Sequence, residues 1–153
     1  MDFAKLDLRA AAGQEHWLHL RVGDIYLYND EAETLPCRVK VASVAKPEVE
    51  KALNAATRAA QSVAVLQRDL ALANRQQRAE LEPRLDAAEK RAAELQGALL
   101  ATAIVDWENI QIGDDVVKFS KDALADLCEP KAPFFRMGGE IMEDMAKLAS
   151  PFA

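Results

Sequence analysis

The sequence has only two cysteines and no long apolar run. Cys37 and Cys128 lie far apart and outside any CxxC spacing, which argues against both a disulfide framework and a zinc site. No apolar stretch approaches the roughly 20 residues of a membrane-spanning helix, and the first residues lack a basic region followed by an apolar run. We therefore expect a soluble intracellular protein without a membrane partner, in which both cysteines are small buried apolar residues.

Sequence motifs of catalysis and cofactor binding are also missing. GxxxxGK, GxSxG and HExxH do not occur. His16 and His19 lie three apart in an alternating segment, where they point to opposite faces and make a poor ligand pair. Asp114 and Asp115 follow a glycine but lack the further carboxylates of a calcium loop. We expect a protein that is not an enzyme, with no catalytic residue, no cofactor and no metal ligand.

Clustered basic residues are a third absence. The chain has 19 Lys and Arg against 25 Asp and Glu, a formal net charge of -6, and residues 104–153 alone carry 5 basic and 10 acidic side chains. Binding to nucleic acid depends on Lys and Arg that neutralise phosphates. The composition therefore disfavours nucleic acid as a partner, and the acidic last third is most simply a solvated surface.

Alternation of apolar and polar residues predicts strands in the first third of the chain. Three runs with a period of two, at residues 17–22, 25–28 and 37–41, are separated by turn residues. This pattern predicts a small antiparallel β meander within residues 1–46. Residues 1–13 are compatible either with a short helix or with a loosely ordered segment.

The middle of the chain is rich in alanine and has no aromatic residue. Residues 47–103 contain sixteen alanines and two apolar seams with helical spacing, which fall out of step near Pro83. We predict two helices, at about 47–74 and 80–104, that turn within 74–83 and pack as an antiparallel hairpin; a single kinked helix is the alternative. Alanine buries little surface, so the pair needs further contacts from its own domain or from another chain.

A short segment anchored by an aromatic residue interrupts the helices. Near Trp107, two alternating runs flank a turn at Gly113, which predicts a short β-hairpin. Ser120 then suits the N-cap of a further helix. We interpret Trp107 as a core anchor that fixes this hairpin to the helices, in preference to a direct binding role.

The last predicted element is an amphipathic helix with an apolar stripe. Three of the four methionines fall there, beside Gly138 and Gly139. Flexible Met-rich helices suit adaptable partner surfaces, but the same stripe is equally typical of core packing, and both interpretations stay open. The candidate partner-binding residues are Phe134, Phe135, Met137, Ile141, Met142, Met145 and Leu148.

Together these patterns predict one domain over residues 1–153, of the α+β class and mainly α. Its three parts are a β-rich subregion at 1–46, an Ala-rich helical hairpin at 47–104, and a short β-hairpin with C-terminal helices at 105–153.

Three segments carry a resemblance to a known family. They are "LPCRVKVASVAKPEVEKAL" at 35–53, "AIVDWENIQIGDDVVKFSKDALADL" at 103–127 and "PFFRMGGEIMEDMAKLASPF" at 133–152. The chain resembles the tail assembly chaperones of long-tailed bacteriophages, which are encoded beside the tape measure protein. The segment from Trp107 to Ser120, with its Trp-Glu pair, acidic turn and Phe-Ser helix start, is the most specific part of this likeness.

The resemblance implies a non-enzymatic chaperone that acts in the host cell cytoplasm. Such proteins bind the tape measure protein, keep it soluble, help to recruit tail tube subunits and leave before the tail is complete. The partners implied are therefore the tape measure protein and the tail tube protein, with homo-oligomers also possible. The alternatives are a structural virion component, such as a tail tube or head–tail connector subunit, and a cytosolic helical adaptor.

Overall fold

The computed structural model describes residues 14–149, so the short helix considered for residues 1–13 lies outside the described residues. Within them, helices predominate over short antiparallel strands, and the predicted α+β, mainly α class is confirmed. The elements in chain order are β1 (Glu15–His19), β2 (Arg21–Val22), β3 (Ile25–Tyr26), β4 (Arg38–Ala42), α1 (Pro47–Leu72), α2 (Arg75–Ala103), β5 (Ile104–Glu108), β6 (Gln111–Ile112), β7 (Asp115–Val116), α3 (Lys121–Cys128), α4 (Pro133–Arg136) and α5 (Gly138–Ala149).

The main sheet has three antiparallel strands in the order β1, β4, β5. Leu18 of β1 lies opposite Val39 of β4, which in turn lies opposite Trp107 of β5. These three side chains share one face of the sheet, because residues directly opposite each other on neighbouring strands point the same way, and all three are buried. The other face carries Trp17 and its cross-strand neighbour Lys40, which remain accessible to solvent. The sheet therefore contributes one face to the core.

Two small hairpins extend from this sheet. β2 and β3 pair around a turn at Gly23, and the chain returns through a bridge between Tyr28 and Pro36 before it enters β4. The predicted N-terminal meander is thereby confirmed. The second hairpin consists of β6 and β7, which pair around the predicted turn at Gly113. The sequence pattern did not predict that β4 also pairs with β5, because both long helices separate these strands along the chain.

The helices α1 and α2 pack against each other as an antiparallel hairpin, as predicted. The chain turns at Ala73 and Asn74, where a capping box joins Asn74 and Gln77: each side chain accepts a hydrogen bond from the other residue's backbone N–H. This cap starts α2 at Arg75, earlier than predicted. Pro83 consequently lies inside α2, at an exposed position. Proline has no backbone N–H, so the carbonyl group one helical turn earlier loses its partner, and water can bond that group at the surface.

One hydrophobic core joins the sheet, the base of the helical hairpin and the C-terminal helices. In the hairpin, fully buried residues are confined to Val49, Ala56 and the stretch 97–103. Residues 57–96, which we call the arm, contain no fully buried side chain. At 1.5 Å per residue, the α1 portion of the arm extends roughly 24 Å beyond the core. The arm is therefore held together by its own thin Ala and Leu seam.

Trp107 fixes the second hairpin to the core. Its indole Nε1 donates a hydrogen bond to the carbonyl oxygen of Val117 at 2.7 Å. Its ring meets those of Phe119 and Phe134 edge to face, at centroid distances of 4.9 and 5.6 Å. Because Trp107 is only 5% exposed, the interpretation of this residue as a core anchor is confirmed.

The helix after this hairpin packs closely on the base of α2. Ser120 caps α3, and its hydroxyl oxygen accepts a hydrogen bond from the backbone N–H of Ala123 at 3.1 Å. At the other end of α3, a Cβ atom on Gly97 would lie 2.6 Å from the carbonyl oxygen of Cys128. Gly97 therefore allows a close approach between α2 and α3, and this approach leaves no room for a side chain.

Candidate partner-binding surface

The structure divides the seven predicted partner-binding residues into two groups. Four of them, which are at most 9% exposed, belong to the core: Phe134, Met137, Ile141 and Met145. Core packing, the second of the two interpretations left open, describes these four. Phe135 and Met142 are half-buried, and Leu148 is 44% exposed. A direct contact with a partner stays a prediction for these three residues.

Neighbouring phenylalanines have different surroundings because successive helical residues point about 100° apart. Phe134 points inward and is 1% exposed, against the ring of Trp107. Phe135 points to the base of the arm, where it lines a surface groove between α1 and α2. A hydrophobic stripe alone does not separate these two positions, since both side chains are apolar and adjacent in the sequence.

This surface groove, which we call the arm groove, is lined mainly by apolar side chains. Alanine supplies four of its eight lining residues, so the backbones of α1 and α2 lie close to the surface. Phe135 supplies its single aromatic side chain. The lining residues are Ala56, Ala60, Val63, Glu89, Ala92, Ala93, Gln96 and Phe135.

The shape of the arm groove suits an apolar helix. Small residues allow another backbone to approach closely, and an amphipathic helix that lies in such a groove anchors itself with side chains one turn apart. Glu89 and Gln96 are its polar lining residues, and they can meet polar groups at the edge of a bound helix. The arm groove can therefore bind protein by packing.

His19 and the two cysteines make contacts within the fold. Nε2 of His19 donates a hydrogen bond to the carbonyl oxygen of Leu27 at 2.7 Å, and the imidazole packs against two tyrosine rings. Burial raises the pKa of the Cys128 thiol to about 11, and it also raises the pKa of Cys37. Both thiols are therefore poor nucleophiles at neutral pH. Within residues 14–149, no three His, Cys, Asp or Glu residues are grouped as metal ligands.

An ionic clamp joins the first hairpin to α5. The guanidinium of Arg21 donates from Nε and Nη2 to the Asp144 carboxylate at 3.1 and 3.0 Å, and its Nη2 lies 3.2 Å from Glu143. The backbone N–H of Gly23 donates to Glu140 at 3.3 Å. The hydrogen bond from Arg21 lowers the pKa of Glu143, while the bond to Asp144 raises the pKa of Arg21 itself. The clamp fixes the helix that carries Met142 and Leu148.

None of the described helices combines the length and the apolar character that a membrane crossing requires. We compared the chain with models of protein families, with curated proteins and with solved structures. These three comparisons found no match.

Proposed function

We propose that this chain is a non-enzymatic chaperone of phage tail assembly that binds the tape measure protein. In this proposal, the arm groove receives apolar helical segments of the tape measure protein and keeps them from associating with one another in the host cell cytoplasm. The observation that carries the proposal is the arm itself, a projecting helical pair with an alanine floor and one aromatic side chain at its base.

The three segments that resemble tail assembly chaperones support this proposal by their positions in the fold. The first forms β4 and the start of α1, the second runs from the end of α2 through β5 and the second hairpin into α3, and the third includes α4 and α5. Together they build most of the sheet, the base of the arm and the helix that bears Phe135. The resemblance therefore covers the parts that position the arm groove.

The energetics of the arm groove suit reversible binding. Covering the exposed part of Phe135 contributes about 1 kcal/mol, since complete burial of a Phe is worth roughly 1.5–3 kcal/mol. Each alanine adds less, so a single helical contact is weak. Several copies along one tape measure chain can still cover it, while tail tube subunits, the second proposed partner, can displace them one at a time.

A structural role in the virion accounts less well for the architecture. Tail tube subunits are mostly β, with long strands that pair between copies, whereas the strands described here have two to five residues. A helical adaptor shares the arm with our proposal but does not account for the segment from Trp107 to Ser120. Self-association through the arm remains compatible with the chaperone role, because a homo-oligomer presents several arm grooves at once.

Co-expression with the tape measure protein encoded beside this chain tests the proposal. We expect the tape measure protein to be insoluble alone, and to be soluble and co-purify when this chain is present. Two substitutions that change the arm groove, Phe135→Ser and Ala60→Gln, should each reduce the co-purified amount by about fivefold, the factor that corresponds to about 1 kcal/mol. The matched control is Ala64→Gln, which alters another exposed alanine of α1 that does not line the arm groove.

The results separate the proposal from its alternatives. A tape measure protein that is soluble alone and does not co-purify with this chain contradicts the chaperone role. Equal losses in the Ala60 and Ala64 variants place the binding surface elsewhere. Circular dichroism and thermal unfolding of each variant establish that lost binding is not lost folding.

A further inference from the structure

A second surface, remote from the arm groove, gathers most of the exposed apolar side chains. Ten large apolar residues within the described residues are exposed, and six of them lie in residues 20–36 and 109–118. We call these two stretches together the hairpin end. The six exposed residues are Val22, Ile25, Tyr26, Leu35, Ile112 and Val116.

The topology brings these stretches to one end of the main sheet. β1 and β5 both run antiparallel to β4, so their carboxyl ends meet the amino end of β4. Two hydrogen bonds stabilise this junction. Nδ2 of Asn109 donates to the carbonyl oxygen of Pro36 at 2.9 Å, and Sγ of Cys37 donates to the carbonyl oxygen of Asn109 at 3.2 Å. Both hairpins therefore start from one fixed base.

The two hairpins repeat the same design. Residues 17–27 and 107–117 share the pattern W-x-x-[L/I]-x-[V/I]-G-D-x-x-[L/V]. In each, a Gly-Asp pair makes the turn, with φ values of +58° at Gly23 and +61° at Gly113. A glycine with positive φ at the first central position is typical of a type II′ turn, which matches the twist of its flanking strands. Both tips thus hold their apolar side chains on a defined backbone.

Acidic residues surround these apolar side chains. Residues 20–36 and 109–118 contain six carboxylates and two basic residues, and Arg21 is engaged in the clamp to α5. The six carboxylates are Asp24, Asp30, Glu31, Glu33, Asp114 and Asp115. This charge repels phosphate groups of nucleic acid and anionic lipid, and a second copy of the same surface as well. It attracts apolar surfaces that are flanked by Lys and Arg.

We infer that the hairpin end is a docking surface for a protein segment that presents apolar side chains flanked by basic ones. Apolar contact supplies the affinity, and the carboxylates supply orientation and speed of association. This surface is independent of the arm groove, so it gives the chain a second binding surface whether or not the proposed function holds.

A pair of labelled peptides tests the inference by fluorescence anisotropy. One short peptide alternates lysine with valine, and the other alternates glutamate with valine. Wild-type protein should bind the lysine peptide more tightly than the glutamate peptide, and added salt should reduce this preference. The substitutions Ile25→Ser and Val116→Ser, made together at the two tips, should weaken binding of the lysine peptide by about tenfold.

Two further variants make the test decisive. Val65→Ser with Leu72→Ser removes two other exposed apolar residues, from the arm, and binding should stay within about twofold of wild type. Asp24→Lys with Asp114→Lys leaves four acidic and four basic residues in the two stretches and should therefore remove most of the preference for the lysine peptide. The inference is overturned by equal losses at the tips and on the arm, by an unchanged preference after charge reversal, or by undetectable binding of the lysine peptide. Self-association that the tip substitutions abolish in sedimentation experiments also overturns it, since the occupant is then a second copy.

Discussion

Replacing Trp107 by Phe should destabilise the protein strongly, because Trp107 joins the second hairpin to the core by both a hydrogen bond and ring contacts. The substitution removes the indole N–H that donates to the Val117 carbonyl oxygen at 2.7 Å. It also shortens a side chain that is 5% exposed and packs against the rings of Phe119 and Phe134. The fold offers a matched control in Trp17, which is 38% exposed on the opposite face of the sheet.

The two contributions at Trp107 add to a measurable change. Loss of a hydrogen bond that leaves the half-buried Val117 carbonyl group without its indole donor costs about 1–3 kcal/mol, and the space left by the smaller ring costs about 1 kcal/mol more. We therefore expect Trp107→Phe to lower the free energy of unfolding by about 2–4 kcal/mol. At Trp17, the main loss is part of the cation–π contact with Arg38, whose guanidinium lies 4.9 Å from the ring centroid. That loss is about 0.5–1 kcal/mol.

Urea unfolding followed by far-ultraviolet circular dichroism measures both variants, since it does not depend on the tryptophan that is removed. A change in the midpoint with an unchanged slope reports a true loss of stability. Equal destabilisation by the two substitutions refutes the reasoning, and so does a loss below about 1 kcal/mol for Trp107→Phe. Either result means that the hairpin is fixed by other contacts.

Two further predictions concern the packing of α2 on α3 and the clamp at α5. Gly97→Ala should lower the free energy of unfolding by about 1–2 kcal/mol, because the new Cβ would meet the Cys128 carbonyl oxygen. Gly139→Ala should raise the free energy of unfolding by up to about 1 kcal/mol, because the space around Gly139 is open. Thermal unfolding of both variants checks that the two changes have opposite signs. The pKa of Glu143 is lowered from its ordinary value of 4.5 by the hydrogen bond from Arg21, so its stabilising contribution is present above that pH and is lost as the pH falls through the lowered value. Glu143→Gln should therefore make the free energy of unfolding less dependent on pH in the acid range. If wild type and variant lose stability equally as the pH falls, the contribution of Glu143 to the clamp is contradicted.

The features predicted correctly from the sequence are those with local signals. The turn at Gly113, the cap at Ser120 and the buried position of Trp107 each depend on residues close together in the chain. The helical hairpin followed from alanine content and helical spacing. The start of its second helix was placed too late, at about residue 80, because Pro83 looked like the break, while the capping box at Asn74 specifies the actual start of α2 at Arg75.

The features missed are those that depend on distant residues. The pairing of β4 with β5 and the bond between Arg21 and Asp144 each join parts of the chain that no local pattern links. The sequence also did not separate the buried from the exposed residues of the C-terminal stripe, because an amphipathic helix buries its apolar face against its own domain as readily as against a partner. Phe134 and Phe135 illustrate this, since only the structure assigns one to the core and the other to the arm groove.

Amide hydrogen exchange of the free chain and of the proposed complex with the tape measure protein tests the central claim most directly. The arm has a thin seam and no fully buried side chain, so its amides should exchange faster than those of the hairpin base in the free chain. Binding in the arm groove should slow exchange in residues 56–63 and 89–96 and leave α3 unchanged. Unaltered exchange across the arm, with protection gained only elsewhere, would contradict the claim that the arm groove holds the partner.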